Sequence, residues 1–186
     1  MNAADVVRRL HQHRIWANQH LRSAAAGLTA EVLRQPFAIG QGSIWKSLLH
    51  LYAAEYVWLG ALLGDEAPLT PGDVAAKLPG NQEGPGAIAT FEQLDADWSA
   101  LDVRWQHYLS ELRVDALEQP VVKLVTSGKL AGQRLSARRL DVLLHVCTHA
   151  AYTTAQVVNM LRQAGADSLP DVMLISLARQ QMLDGG

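Results

Sequence analysis

The sequence predicts an all-α protein: a four-helix bundle with a long crossover connection, a small β-hairpin before the fourth helix and a short C-terminal helix, all in a single domain over 1–186. Three observations carry this reading. Four long segments repeat apolar residues at helical spacing. A Pro- and Gly-rich run over 65–89 with no sustained period parts the second segment from the third. One short stretch, 120–135, switches to β-branched residues around a Ser-Gly pair.

The first helix is predicted from about Asn2 to Gly27, with Val6, Leu10, Ala17, Leu21, Ala24 and Leu28 as its apolar stripe. His13, Trp16 and His20 flank that stripe and read as partly exposed residues at a helix margin. The second helix runs from Ser43, an N-cap residue, to Leu63, with Gly64 as its stop. After Lys46 its one charged residue is Glu55, so it reads as a centrally buried helix, and a buried carboxylate needs a partner. That partner is either an imidazole that Glu55 orients or an arginine, the first helix being one source.

The connection over 65–89 is long enough to cross the bundle rather than make a tight hairpin. The third helix opens on Thr90, where Gln93 completes a capping-box pattern, and its stripe runs Phe91, Leu94, Trp98, Leu101, Trp105, Leu109, Leu112. Asp95, Asp97, Asp102, Arg104 and Glu111 fall mostly off that stripe. Pro120 to Leu135 reads as a hairpin turning at Ser127-Gly128, its second strand weakened by Gly132. The fourth helix is predicted from Ser136 to Ala164, with Gly165 beyond it, and "SLPD" at 168–171 opens a terminal helix to about Gln181.

Composition narrows the function classes. A content of 49% hydrophobic and 18% charged residues suits a compact globule rather than a disordered chain. With a net charge of −2 the chain lacks the basic excess of a nucleic-acid or membrane-surface binder. The single Cys147 permits no disulfide within the chain, which fits a reducing compartment. The N-terminus carries no signal-peptide core and no run is long enough to span a bilayer, so a cytoplasmic location is expected.

The chemistry concentrates in histidines. His145 and His149 stand four residues apart, on one face of the fourth helix, and His50 lies on the buried second helix. Three neutral imidazoles from two helices can hold a divalent metal and leave positions open, the arrangement of a catalytic site. The same residues can also simply hydrogen-bond within the core. Tyr152 would bring a phenol near the site or only pack. Cys147 projects about 160° away from His149 and reads as a packed thiol. No phosphate loop, GxSxG or HExxH is present.

Several motifs in order resemble the DinB/YfiT-like family over nearly the whole chain. "HRIWANQHLRSAAAGLTAEVL", with Trp16, Ala17, Asn18 and Leu21, resembles its first helix; "GSIWKSLLHLYAAEYVWLGALLG" its second, with the family histidine at His50; "LLHVCTHAAYTTAQVVNMLRQAGA" its fourth; and "LPDVMLISL" its closing segment. The resemblance implies a bundle, commonly a homodimer, that holds a divalent metal such as zinc or nickel on three histidines, one from the second helix and two from the fourth. Its characterised members include thiol-dependent S-transferases and isomerases, with hydrolysis as the next activity. The two fourth-helix ligands match His149 and Thr153, so one ligand is replaced by a hydroxyl. His145 matches a histidine one turn earlier that is usually no ligand. Three arrangements follow: His145 substitutes for the lost ligand, a water held by Thr153 completes a weak site, or metal binding is gone and a metal-free ligand-binding or dimerisation module remains.

Overall fold

The computed structural model describes residues 2–126 and 128–184. Helix α1 spans Ala3–Ala26, α2 Ala30–Arg34, α3 Ile44–Leu62, α4 Phe91–Ser110, α5 Arg139–Gln163 and α6 Leu174–Asp184. Strands β1 (Pro120–Leu124) and β2 (Arg134–Arg138) form one antiparallel pair, and a 3₁₀ turn, Val114–Glu118, precedes them. The long helices α1, α3, α4 and α5 make the four-helix bundle. Helix α5 packs on α1 and α3, and α4 packs on the same two from the other side. Thus α1 and α3 face each other across the middle.

Local chemistry sets most helix ends. Asn2 and Thr90 close capping boxes, and Ser43 accepts from the Lys46 N–H. Past α5, Gly165 takes a left-handed φ of 77°, which ends the helix. The connection over 65–89 runs the length of the bundle. It leaves the end of α3, passes the His50 backbone at Gly80, and returns to the start of α3, where Arg34 donates to the Ala89 carbonyl and lies over the Trp45 ring. The crossover expected from the sequence is therefore present, and α3 and α4 begin at the same end.

Three expectations are corrected. Of the stripe predicted for α1, Ala17 and Leu21 are buried but Val6 is 44% exposed, and the inward face also takes in Val7, His11, Arg14, Asn18 and Arg22. Strand β2 runs to Arg138, so α5 begins at Arg139 rather than Ser136. "SLPD" is not a helix start: the chain stays irregular until Leu174. The predicted hairpin is present, with Pro120 opposite Arg138 and Leu124 opposite Arg134. Of its predicted turn, Ser127 lies outside the described residues, while Gly128 and Gly132 both take positive φ between the strands.

The core is built on Trp98 and Trp105, both fully buried on α4, with the leucines of α3 and α5 around them. Each such side chain contributes on the order of 2–3 kcal/mol of burial. Through it runs a polar layer. Arg14 pairs with Glu55 across the bundle, Asn18 Nδ2 donates to Glu55 Oε1 at 2.7 Å, and Trp98 Nε1 donates to Oε2 at 3.3 Å. His11 lies against Trp105 at 5.0 Å, accepts from Arg14 Nε and donates to the Leu143 carbonyl. Asp102, expected off the buried stripe, is only 4% exposed and accepts from Arg22 at 3.0 Å. Among the described residues no helix is long and apolar enough to cross a membrane.

Candidate metal centre

His50 and His149 meet where α3 packs on α5. Their Nε2 atoms are 3.2 Å apart and their ring centroids 5.1 Å. His50 Nδ1 lies 2.9 Å from the Pro79 carbonyl oxygen. A carbonyl only accepts, so Nδ1 carries the proton and Nε2 presents its lone pair. This contact exists because Gly80 lets the connection close on α3. A Cβ at Gly80 would stand 2.6 Å from the His50 N and Cα, and its φ is +83°. Asp73 ties the loop down, accepting from the N–H groups of Gly80 and Gln82.

The pair lies on a cavity of about 430 Å³ between α3, α5, the crossover and the hairpin. Trp58, one of its walls, meets His145 edge-on with centroids 5.3 Å apart. Trp58 carries no site signal in the sequence, and the structure places it on the cavity wall. Lys123 on β1 reaches in with its Nζ 5.3 Å from the centre of the Trp58 ring. Its ammonium donates to the Leu124 carbonyl, not to a carboxylate, and burial lowers its pKa. Neither Lys123 nor Pro79 carries a sequence signal, because the hairpin and crossover bring them to α3 only through tertiary packing.

The site is electrostatically poised for neutral imidazole. Burial, then the neighbouring His50 and His145, push the His149 pKa down to about 4. Burial also lowers that of His145.

The remaining predicted residues divide. His145 lines the same cavity at its exposed side, its ring centroid 5.8 Å from that of His149. Thr153, one turn beyond His149, is 2% exposed and packed in the core rather than on the cavity wall. Tyr152 is 69% exposed, so the proposed phenol near the site is corrected: a step of one residue turns it outward. Glu55 orients no imidazole; its contacts are Arg14, Asn18 and Trp98, the first-helix arginine being the partner that burial demands. Cys147 is half-buried, its thiol pushed up to about 12 by burial, as a packed thiol should be.

Tetrahedral zinc with Zn–N near 2.05 Å places two ligand nitrogens about 3.3 Å apart, so the His50–His149 pair fits two positions of such a set. Among the described residues no three His, Cys, Asp or Glu side chains form a ligand cluster. The donor set is therefore two imidazoles, one of them already oriented by Pro79, with a third at the rim.

A family model, the DinB family, matches residues 1–181. The chain belongs to the DinB family. It is 25% identical over 167 residues to Protein DinB of Bacillus subtilis (strain 168), a match covering 90% of this chain and 91% of that protein. This DinB chain shares its fold with a conserved protein from Enterococcus faecalis, at a TM-score of 0.62 and 14% identity, over 86% of this chain and 96% of the other. It also shares it with YfiT from Bacillus subtilis, described as a probable metal-dependent hydrolase with an unusual four-helix bundle topology, at a TM-score of 0.60 and 16% identity, over 86% and 87% of the two chains.

Proposed function

We propose that this DinB protein is a metal-dependent hydrolase or thiol-dependent S-transferase in which His50 and His149 hold a divalent cation, zinc or nickel. The observation that carries the reading is the convergence of the two Nε2 atoms at 3.2 Å with the His50 tautomer set by Pro79. The description of YfiT as metal-dependent supports it. The chemistry such an ion supplies is a lowered pKa for a water or thiol at its open positions, which makes a nucleophile at neutral pH. In this reading Pro79 holds the His50 ring, and His145, at the cavity rim, turns inward to take the place of the ligand that Thr153 replaces. Lys123 receives an anionic group of the substrate, while Trp58 and Leu78 keep water from the reacting atoms. The protein works as a homodimer, which light scattering on the purified chain checks.

The metal-free binding module is the second reading, and Thr153 in place of a histidine favours it. Stripping the protein of metal and titrating zinc and nickel separates the two. The proposal expects one equivalent bound tighter than micromolar, lost in His50→Ala and His149→Ala and weakened in His145→Ala. Thr153→His restores the family's third ligand and should tighten binding by more than about a hundredfold, beyond what contacts outside the ligand shell achieve. No binding tighter than micromolar in the unsubstituted protein leaves the metal-free module.

A further inference from the structure

The cavity at His50 and His149 is lopsided in charge. Among the described residues that line it there is no Asp or Glu, and Lys123 is the one lysine or arginine. Lys123 stands two residues from Val121 on β1, so the two share the strand face turned to the core, where Val121 is 5% exposed. Lys123 itself is only half-buried, and its Nζ lies 5.3 Å from the centre of the Trp58 ring, which forms part of the same wall.

An ammonium has three N–H donors. One donates to the Leu124 carbonyl at 3.2 Å, and no carboxylate among the described residues pairs with it. The wall beside it is largely apolar, with Val57, Leu78, Leu124 and Leu135 around the indole. Trp58 joins this cation to the histidines, because its ring also meets that of His145 edge-on with centroids 5.3 Å apart. A lone cation thus stands in an apolar wall that runs on to the imidazoles.

We propose that the substrate of this cavity is an organic monocarboxylate with an apolar ring or short chain, its carboxylate on Lys123 and its body along Trp58 toward the histidines. The assignment as a substrate rests on the functional reading above, in which the reacting bond lies at the end of the body away from the carboxylate. Charge and polarity exclude the alternatives. An amine cation finds no acid on the wall and is repelled by Lys123. A neutral molecule displaces water from the ammonium without replacing its hydrogen bonds. A small dicarboxylate sets a second charge against the apolar wall. The volume of about 430 Å³ lies within the range of small-molecule sites.

The probes are 3-phenylpropionate, 3-phenylpropanol, 3-phenylpropylamine and succinate, titrated into the metal-free protein and followed by saturation-transfer NMR. 3-Phenylpropionate should bind about tenfold or more tighter than the alcohol, the gain expected from one charge-assisted hydrogen bond, with the amine and succinate weaker still. Lys123→Met should bring the acid down to the level of the alcohol and leave the alcohol unchanged, while Lys123→Arg keeps the acid preference; circular dichroism confirms that both variants fold. Equal binding of acid and alcohol overturns the proposal. So does an acid preference that survives Lys123→Met, succinate binding as tightly as 3-phenylpropionate, or no binding of any phenyl probe. Metal binding is scored separately, by the zinc titration. Zinc bound without an acid preference sinks this proposal alone, whereas an acid preference without zinc sinks the metal reading alone and leaves the monocarboxylate as the ligand of the metal-free module.

Discussion

His50 and Glu55 stand little more than one turn apart on α3, and they face opposite fates. Glu55 is 1% exposed and its oxygens accept hydrogen bonds from Arg14, Asn18 and Trp98. His50 is half-buried on a cavity wall, has one nitrogen tied to Pro79, and directs the other at a second imidazole. A carboxylate saturated by its own core holds the bundle together and has little left to offer a substrate. An imidazole fixed on one side and free on the other is a ligand or base in waiting. The distinction is one of hydrogen-bond satisfaction rather than residue type or burial alone.

The hardest way to break that comparison is Glu55→Ala. Removing the acceptor leaves the Arg14 charge buried without its paired carboxylate, against His11 and the Trp105 face, and strands Asn18 and Trp98 as well. Unfolding in urea should show a loss of about 3–5 kcal/mol, as for other broken buried pairs. His50→Ala, one turn away, should cost far less stability. Equal losses at the two positions would erase the contrast between a structural and a functional polar group.

Gly80→Ala sharpens the functional side. The added Cβ meets the His50 backbone, which cannot yield as a side-chain tip would, and the positive φ strains any L residue. We expect a loss of about 1–3 kcal/mol on unfolding. If the site holds metal, displacement of the Pro79 carbonyl should also weaken binding by about 10–100-fold. Unchanged stability would show that the crossover is not seated on α3.

How much of this was legible follows the range of the interactions. The caps at Ser43 and Thr90 were readable because each is settled within four residues of chain. Glu55 announced a partner, imidazole or arginine, because a lone buried charge is too costly to survive, and the structure makes it Arg14. The face of α1 was misread in part because a rule that looks for apolar residues cannot see His11, Arg14, Asn18 and Arg22, which are buried among Val7, Ile15, Ala17 and Leu21. "SLPD" has the look of a helix start, yet His13 and His20 hold the carbonyls of Val172 and Asp171, and the chain turns helical only at Leu174. At the site, helix spacing and family pattern picked out His50, His145 and His149, which share one cavity. The cavity's other walls come from the crossover and the hairpin, whose placement no local pattern encodes.

The smallest predicted effect tests the polar layer from its other end. Burial first, then repulsion from Glu55, raises the Asp102 pKa from 3.8 to about 7, and the attraction of Arg14 and Arg22 does not offset it. The geometry agrees: Oδ2 accepts from Arg22, while Oδ1 has no partner and is free to carry the proton. A folded-state pKa above the unfolded one means that the fold favours the protonated acid. Its contribution is complete below about pH 4 and drains away as the pH climbs through about 7. Asp102→Asn keeps the neutral shape and removes the titration. Denaturation midpoints measured from pH 4 to pH 8 should therefore converge with the unsubstituted protein at the acid end. They should separate in favour of Asn toward pH 8 by on the order of 1 kcal/mol, the charged form being partly relieved by Arg22. A variant that instead loses stability at pH 8 would mean that Asp102 is a saturated ion pair like Glu55, and that the polar layer is uniform from Arg14 to Arg22.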